Sequence, residues 1–322
     1  MTTMIRTPIT DMLGIEHPVL LAPMGKVSGG RLAAAVSRAG GFGILGGGYC
    51  DPAWLECEIQ AAGDAPIGIG FITWALQARP GALDIALARA PKAIFLSFGD
   101  LQPFAERIKH SGARLIAQVQ SVAQARQAAA EGADIIVAQG SEAGGHGTTR
   151  ATLPLVPAVV DAVPGVPVVA AGGIADGRGL AAALMLGAAG VLCGTAFYVS
   201  EEALADPVAK QVLVQASGDH TQRSSVFDLA RGLDWPEPWT IRTLENAFSR
   251  RWAANPAGLQ VRLAAEQRRY AEAQDASDFD TAAVIAGEAA DLVRSVRPAA
   301  HILSGMVEQA AALLRRGPDL LC

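Results

Sequence analysis

The sequence predicts an α/β protein, a (β/α)₈ barrel (a TIM barrel) with a C-terminal α-helical appendage that acts as a lid. Along residues 1–220, short apolar runs recur at fairly even intervals, and an Ala-rich amphipathic stretch follows each run. Apolar runs without alternation are typical of parallel strands that helices cover on both sides. Eight such units in this length match the size of a complete barrel. An open, doubly wound sheet is the alternative that the same pattern allows.

The predicted strands are short and rich in Val, Ile and Leu. They lie at residues 18–23, 41–45, 66–71, 92–97, 113–119, 133–138, 166–171 and 189–193. The helices that follow them are predicted at residues 29–39, 52–62, 79–90, 101–111, 121–131, 153–163, 177–187 and 200–216. Helix N-caps are expected where a side-chain oxygen can accept from the first free N–H groups, at Ser28, Asp51, Asp100 and Ser121. Helix ends are expected where glycine permits a left-handed turn, at Gly112, Gly132 and Gly187.

Residues 221–322 have a different pattern and form a second region. Residues 221–255 are rich in aromatic residues, and further helices are predicted at residues 257–273, 281–294 and 297–316. We therefore divide the chain into a barrel at residues 1–220 and a C-terminal helical region at residues 221–322. The last helices of this region are expected to pack back on the barrel. Trp235, Trp239 and Phe248 are expected to form a lid over the barrel mouth.

Composition and charge argue against several classes of function. The formal net charge is −5, and the sequence has no basic stripe that could bind nucleic acid. Charged residues interrupt the apolar tracts before they reach membrane-spanning length. The N-terminus lacks the apolar run of a signal peptide. We therefore expect a cytoplasmic protein without nucleic-acid or membrane partners.

The cysteines and histidines do not form a metal-binding pattern. Cys50, Cys57, Cys193 and Cys322 have spacings that fit neither a zinc site nor a disulfide scaffold. The five histidines are scattered along the chain and form neither an H-E-x-x-H motif nor a cluster with carboxylates at ligand spacing. We therefore expect ordinary reduced thiols and no metal site.

Glycines follow the last two predicted strands of the barrel, where the chemistry of such folds is found. Gly172 and Gly173 follow the seventh strand, and the eighth strand ends at Cys193, Gly194 and Thr195. Glycine lets backbone N–H groups approach phosphate oxygens closely, and Thr195 can add a hydroxyl donor. The two loops together therefore predict a phosphate site. The alternative is that these glycines only form tight turns.

His146 lies in the glycine-rich loop that follows the sixth strand, at residues 139–147. An imidazole can accept or hold a proton near neutral pH, and this one lies beside the predicted phosphate site. His146 is therefore the candidate catalytic residue, and Glu142 is expected to orient the loop or cap the sixth strand, without a chemical role. The other histidines are expected to be structural or exposed: His17, His110, His220 and His301.

Four segments of the chain resemble the nitronate monooxygenase (2-nitropropane dioxygenase) family. They read LLAPMGKVSGGRLAAAVSRAGGFGILGGG, VAQGSEAGGHG, VVAAGGIADGRGLAAALMLGAAGV and GTAFYVSEEA. The resemblance runs along the barrel and, more weakly, into the C-terminal helices. It implies an FMN-dependent TIM barrel that oxidises alkyl nitronates with O₂ to a carbonyl compound and nitrite. The implied partners are a small nitronate or nitroalkane and O₂, and a homodimer is left open.

The resemblance also assigns residues to the site. His146 matches the catalytic histidine of the family. The residues that the resemblance implies for FMN binding are Ala22, Pro23, Met24, Gln118, Gln139, Gly144, Gly172, Gly173, Leu192, Cys193, Gly194 and Thr195. The chain departs from the family at the end of the third strand, where many members carry an Asn and this chain has Gly70. That departure removes an expected hydrogen bond near the flavin or the substrate.

A dinucleotide-like glycine string also occurs in the chain. Gly41, Gly43 and Gly46 fit the pattern G-x-G-x-x-G, and Asp64 follows about 20 residues later. The glycines lie inside a predicted strand, whereas the motif requires them between a strand and a helix. We therefore reject a dinucleotide site and expect these glycines to make room for the flavin ring or the substrate.

Two other functions are compatible with the same scaffold. One is an NAD(P)H-dependent FMN reductase of quinones or enoyl thioesters, because enoyl-thioester reductases of the bacterial fatty-acid pathway share the E-A-G-G-H string. The other is a non-catalytic FMN-binding module, in which no donor would reduce the flavin. The one predicted phosphate site is assigned to FMN, and we therefore expect NADH and NADPH to reduce the flavin negligibly.

Overall fold

The eight predicted strands form a parallel barrel in the computed structural model, which describes residues 4–317. The barrel strands are β1 (Val19–Leu21), β2 (Ile44–Gly48), β3 (Gly68–Ile72), β4 (Ala93–Ser97), β5 (Arg114–Val119), β6 (Ile135–Gln139), β8 (Val168–Ala171) and β9 (Gly190–Cys193). Their order is β1-β9-β8-β6-β5-β4-β3-β2, and a parallel bridge between Leu20 and Phe42 joins the two ends. The (β/α)₈ barrel is therefore confirmed, and the open-sheet alternative is wrong.

A second, small sheet joins the barrel to the C-terminal region. It contains β7 (Gly145–Gly147), β10 (Thr221–Ser224) and β11 (Thr240–Leu244), in the antiparallel order β10-β11-β7. Strand β7 belongs to the loop after β6, whereas β10 and β11 come from the C-terminal region. This sheet fixes where the two regions meet at the barrel mouth.

The helices cover the outside of the barrel and build most of the C-terminal region. They are α1 (Pro8–Leu13), α2 (Gly30–Arg38), α3 (Pro52–Ala62), α4 (Thr73–Ala78), α5 (Gly81–Ala88), α6 (Gln102–His110), α7 (Val122–Ala130), α8 (Thr152–Ala162), α9 (Gly177–Met185), α10 (Thr195–Tyr198), α11 (Pro207–Val214), α12 (Val226–Ala230), α13 (Ala247–Trp252), α14 (Pro256–Val261), α15 (Leu263–Asp275) and α16 (Ala299–Arg315). Across the part of the chain that is described, no helix is both long and apolar enough to cross a membrane.

The predicted helix ends are largely confirmed. The side chains of Asp51 and Ser121 accept from backbone N–H groups at the starts of α3 and α7. Left-handed backbone occurs at each glycine expected to end a helix, namely Gly112, Gly132 and Gly187. The N-cap positions of α2 and α6 are Gly29 and Leu101, one residue later than the predicted Ser28 and Asp100.

The helix predicted at residues 200–216 is wrong over its first half. Only α11 is helical there, and it begins after Asp206, whose side chain accepts from the Val208 backbone N–H. The preceding segment is tied down by Lys210, whose buried Nζ donates to the carbonyl oxygens of Ser200 (2.7 Å) and Ala203 (2.8 Å).

The last helix of the chain, α16, packs against α9 and α2, the helices that follow the seventh and first barrel strands. The last helix therefore packs back on the barrel, as expected.

Two helices predicted further along the C-terminal region also differ. The stretch at residues 257–273 is divided at Arg262 into α14 and α15. The stretch at residues 281–294 contains only a short 3₁₀ helix, Glu288–Leu292. Its remainder is held by long-range bonds, because the Gly287 N–H donates to Thr195 Oγ1 (3.0 Å) and the Glu288 N–H donates to the Glu142 carbonyl (2.9 Å). These tertiary contacts override local helix propensity.

The core has two layers that follow the pleat of the barrel strands. Side chains such as Leu20, Phe95 and Leu192 fill the barrel interior. Alternate residues, such as Leu21 and Cys193, point outward and pack against the helices. Because successive side chains of a strand face opposite sides, neighbouring residues at a strand end have different surroundings.

Candidate active site

A cavity of about 200 Å³ lies at the carboxyl ends of the barrel strands. Its lining contains every predicted site residue except Cys193: Ala22, Pro23, Met24, Gln118, Gln139, Gly144, His146, Gly172, Gly173, Leu192, Gly194 and Thr195. The Cys193 side chain is buried against the helices, where burial raises the pKa of its thiol to about 12. Cys50 is also a buried free thiol, Cys57 is an exposed one, and Cys322 lies outside the described residues.

The glycine turns after β8 and β9 bring backbone donors to this cavity. Gly172 and Gly173 have φ angles of +102° and +72°, a left-handed conformation that favours glycine. Gly194 is the N-cap of α10, and Thr195 is its first residue. None of the described residues that line the cavity is Asp or Glu, whereas Arg231 and His146 both line it. Backbone N–H groups that no lining carboxylate opposes suit the phosphate of a flavin nucleotide. The residues of the two glycine turns therefore fit such a phosphate.

A chain of carboxamides forms one wall of the cavity. Gln139 Oε1 accepts from Gln118 Nε2 (3.2 Å) and from Gln120 Nε2 (2.9 Å). Gln120 Oε1 in turn accepts from the Trp239 indole N–H at 3.3 Å. Because two donors occupy Gln139 Oε1, its Nε2 group is the one left to donate into the cavity. Gln118 and Gln139 are residues that the sequence predicts for the site, whereas Gln120, which bonds to Gln139, was not predicted.

His146 lies on β7 opposite Ile241 of β11, and its ring is held in place from two sides. Its Nε2 atom lies 3.0 Å from both carboxylate oxygens of Asp228. The Trp235 ring stacks on the imidazole with the two ring centroids 3.3 Å apart and the planes 8° from parallel. His146 is 8% exposed and Asp228 is 3% exposed. Asp228 could not be predicted as a partner of His146, because 82 residues separate the two.

Burial is the main influence on the acid–base behaviour of this histidine. It lowers the pKa of His146 below the usual 6.5, because a buried ring is costly to charge. The hydrogen bond and the negative charge of Asp228 oppose that shift, whereas the positive charges of Arg231 and Arg223 add to it. The ring is therefore neutral at neutral pH and can accept a proton.

The loop that carries His146 is braced on both sides. The Arg223 guanidinium donates to the carbonyl oxygens of three loop residues, Ser141, Ala143 and Gly145, at 3.0–3.1 Å. The Glu142 carboxylate accepts from the backbone N–H of Thr152 (2.9 Å) and from its hydroxyl (2.8 Å) at the start of α8. Glu142 therefore orients the loop, as expected, and Arg223 is a second brace that sequence analysis missed.

Aromatic side chains cover the histidine from the C-terminal region. Trp235 lines the cavity, and its indole N–H donates to the Tyr49 hydroxyl at 2.8 Å. Phe98 packs edge-on against both Trp235 and Trp239. Phe248, which was expected to join them, instead packs in a separate core with Phe227 and Tyr270. The prediction of the aromatic cover is therefore wrong for Phe248.

The dinucleotide-like glycines have a packing role and do not face the cavity. A Cβ atom on Gly43 would overlap the Ala33 carbonyl of α2, and one on Gly46 would overlap the Met24 carbonyl. A Cβ on Gly41 would lie 2.8 Å from the Val19 carbonyl oxygen. The expectation that they make room for a flavin ring or substrate is therefore wrong, because protein backbone occupies that space.

The presence of glycine at position 70 has a clear steric reason. It lines the cavity, and a Cβ atom there would overlap Pro23 Cβ and lie 2.8 Å from Pro23 Cγ. An Asn at this position, as many family members carry, therefore requires Pro23 to move. The departure from the family pattern is coupled to the tight packing of β3 against the residues that follow β1.

A barrel with glycine turns, a buried histidine and carboxamides around one cavity at the strand ends has the architecture of a flavin-dependent oxidoreductase. A family model described as nitronate monooxygenase matches residues 6–80 and 72–309, and the chain belongs to this family. The family consists of flavin-dependent oxidoreductases. The resemblance seen in the sequence is thereby confirmed, and the chain is an enzyme of this class.

Two relatives and one solved structure show the range of similar proteins. Nitronate monooxygenase npaC of Metarhizium robertsii is 36% identical over 98% of both chains. The (3aS,4S,5R,7aS)-5-hydroxy-7a-methyl-1-oxo-octahydro-1H-indene-4-carboxyl-CoA dehydrogenase of Mycobacterium tuberculosis is 40% identical over 67% of this chain, and the match spans 62% of the dehydrogenase. The structure of FabK from Thermotoga maritima superimposes with a TM-score of 0.86 at 31% identity, over 98% of this chain and all of that one.

Proposed function

We propose that this chain is an FMN-dependent nitronate monooxygenase that oxidises alkyl nitronates, and also nitroalkanes, with O₂ to a carbonyl compound and nitrite. The observation that carries the proposal is that His146 and both glycine turns line one cavity in a member of this family. We place the enzyme in the cytoplasm and keep a homodimer as a prediction.

FMN is the flavin that best matches the donors in the cavity. Its phosphate would be held by backbone N–H groups at Gly173 and Gly194 and by the Thr195 hydroxyl. Because Thr195 Oγ1 already accepts from the Gly287 N–H, its proton is free to be donated to a phosphate oxygen. Pro23, Met24 and the other assigned lining residues would hold the ring. When bound, FMN would supply the redox chemistry that links oxidation of the substrate to reduction of O₂.

The charges around the cavity favour an anionic substrate. Arg231 lines the cavity, whereas the carboxylate 3.8 Å from it, Asp228, lies outside the lining and is also bound to His146. A nitronate carries its negative charge on the nitro oxygens, which can accept hydrogen bonds. The surrounding wall is largely apolar and includes the large side chains of Phe71, Phe98 and Trp235, and this suits a short alkyl group.

His146 would move the substrate proton. With a neutral nitroalkane, the neutral ring accepts the α-proton, and the electron pair of the C–H bond remains on the substrate as the nitronate. With a preformed nitronate, that proton is already gone, and no proton transfer to the ring is required. Oxidation of a neutral nitroalkane therefore requires His146 as a base, whereas oxidation of a preformed nitronate does not.

The division at residue 220 acquires a functional meaning in this proposal. Residues 1–220 would hold FMN, and residues 221–322 would cover the site and complete it. The C-terminal region contributes Asp228 beside the histidine, and Trp235 and Ile285 in the cavity wall. Water would be kept from the reacting carbon by this cover.

Cofactor release and product analysis test the proposal together. The purified protein should be yellow and release FMN, not FAD, on denaturation. With propyl nitronate in air, nitrite should accumulate as O₂ is consumed. A flavin-loaded protein that forms no nitrite would contradict the proposed reaction, and release of FAD would contradict the cofactor assignment.

A second candidate is an NAD(P)H-dependent FMN reductase of quinones or enoyl thioesters. It is favoured by the 40% identity to a dehydrogenase of a CoA ester and by the similarity to FabK. It is disfavoured by the glycine string at residues 41–46, which packs against backbone and offers no second phosphate site. Reduction of the flavin by NADH would distinguish it from the main proposal.

A further inference from the structure

We propose that Asp228 is a positioning residue that holds the proton of His146 on Nε2 and so leaves Nδ1 as the atom that accepts the substrate proton. The proposal deepens the proposed function and rests on it, because it assigns which atom of the histidine reacts. It also explains why a carboxylate is buried beside the cavity without facing the substrate.

The hydrogen-bond geometry defines the tautomer. Nε2 lies 3.0 Å from Asp228 Oδ1 and 3.0 Å from Oδ2, a distance at which two acceptors share one donor. An ionised carboxylate can only accept, and Nε2 must therefore carry the hydrogen. In a neutral imidazole the other nitrogen is then an unprotonated acceptor, and His146 lines the cavity.

The pair is built so that the ring cannot turn away. Asp228 lies within the short helix α12, and His146 lies on β7, whose pairing with β11 fixes its backbone. Trp235 stacks on one face of the ring and is itself tied to Tyr49 by its indole N–H. Rotation of the imidazole would break the bond to Asp228 and the stacking together.

The surrounding charges suit a base that becomes positive for a short time. Asp228 stabilises the imidazolium that forms when Nδ1 accepts the α-proton. Arg231 lies 3.8 Å from Asp228 Oδ1 and gives the buried carboxylate a second partner. The charged groups that act on His146 are Asp228, Arg231 and Arg223, and the two arginines favour return of the proton to the solvent or product.

A purely structural role is the competing explanation, since Asp228 also ties α12 to β7. The two roles differ in what they change. A structural contact affects folding and flavin retention, whereas a positioning role affects the pH dependence and the difference between a neutral nitroalkane and a nitronate.

The first test compares Asp228→Asn with wild type as flavin-loaded enzymes. We expect kcat/KM for nitroethane to fall roughly 10-fold or more, because replacing the carboxylate that orients a catalytic histidine can cost up to about 10⁴ in rate, while kcat/KM for ethyl nitronate stays near wild type. The acid limb of the nitroethane profile should move to lower pH, because the carboxylate that raises the pKa of His146 is gone. Asp161→Asn, an exposed change on α8, is the matched control and should leave all three readouts unchanged.

Nuclear magnetic resonance of ¹⁵N-histidine-labelled wild-type holoenzyme tests the tautomer without any variant at Asp228. His146→Asn identifies the signals of His146 by their loss. We expect neutral His146 to carry its proton on Nε2. A proton on Nδ1, or an Asp228→Asn enzyme with an unchanged acid limb and unchanged nitroethane turnover, would overturn the proposal. Because the tautomer is read without turnover, an enzyme inactive on all nitronates would refute the proposed function and still leave this result interpretable.

Discussion

The close packing of Gly70 against Pro23 permits a quantitative prediction. Gly70→Ala adds one methyl group, whose carbon would overlap Pro23 Cβ and lie 2.8 Å from Pro23 Cγ. Neither position can yield easily, because the proline ring is rigid and the glycine lies within β3, paired with β2 and β4. Overpacking of this kind typically costs about 1–3 kcal/mol.

The cost should appear as a lower melting temperature. About 2–4 °C is lost per kcal/mol in larger domains, and Gly70→Ala should therefore melt roughly 2–12 °C below wild type. Circular dichroism of both proteins at the same saturating flavin concentration measures this difference. The flavin affinity should fall as well, because Pro23 lines the cavity. Gly70→Asn, which introduces the residue common in the family, should be at least as destabilising.

Two further variants determine whether the contact with Pro23 is the cause. Gly305→Ala lies within α16 with no atom within 4 Å of the new Cβ, and it should be neutral or stabilising by about 0.5–1 kcal/mol. In a Pro23→Gly background the penalty of Gly70→Ala should shrink, because the overlapping atoms are removed. The reasoning is refuted if Gly70→Ala melts with wild type, or if its penalty is the same in both backgrounds.

The remaining predictions concern the flavin and the histidine. Gly173→Val should reduce bound flavin, because its Cβ would press on the side chain of Glu142, which orients the loop of His146, at 3.3 Å from a left-handed backbone. Gly165→Ala, with φ +89° and open space around it, should retain full flavin and thus control for backbone strain. His146→Asn should keep its flavin, but its turnover of neutral nitroalkane should fall roughly 10²–10⁴-fold and its turnover of nitronate should fall less. Equal losses of turnover on the two substrates would argue against proton abstraction by His146. Wild-type kcat/KM for nitroalkane should fall with decreasing pH only below about 6.5, because burial lowers the pKa of His146 and the neutral ring is the active form. An acid limb above pH 6.5 would contradict the assignment of neutral His146 as the base.

Strand periodicity was sufficient to predict the barrel but not the C-terminal region. Uninterrupted apolar runs and glycine stops are local signals, and all eight strands and most wall helices follow them. The segment at residues 281–294 has helical composition, yet the bonds of Gly287 and Glu288 to loops of the barrel hold it in another conformation. Such contacts depend on residues more than 90 positions away and leave no local pattern.

The same distinction applies to the site. His146 and the glycine turns could be predicted because barrel chemistry lies at strand ends, and each is adjacent in sequence to its strand. Trp235 could be placed at the barrel mouth, but its stacking on His146 and the contact of Asp228 with His146 could not be predicted, since both depend on the pairing of β11 with β7. The prediction of Cys193 as a cavity residue alongside Leu192 and Gly194 is wrong, because strand alternation directs its side chain away from the cavity.

Anaerobic reduction of the bound flavin tests the central claim most directly. Propyl nitronate, added to the purified enzyme in the absence of O₂, should bleach the yellow colour within the time of manual mixing. NADH and NADPH at the same concentration should leave the colour unchanged over that time. Rapid bleaching by NADH with no response to nitronate would contradict the proposed reaction and identify the enzyme as a reductase.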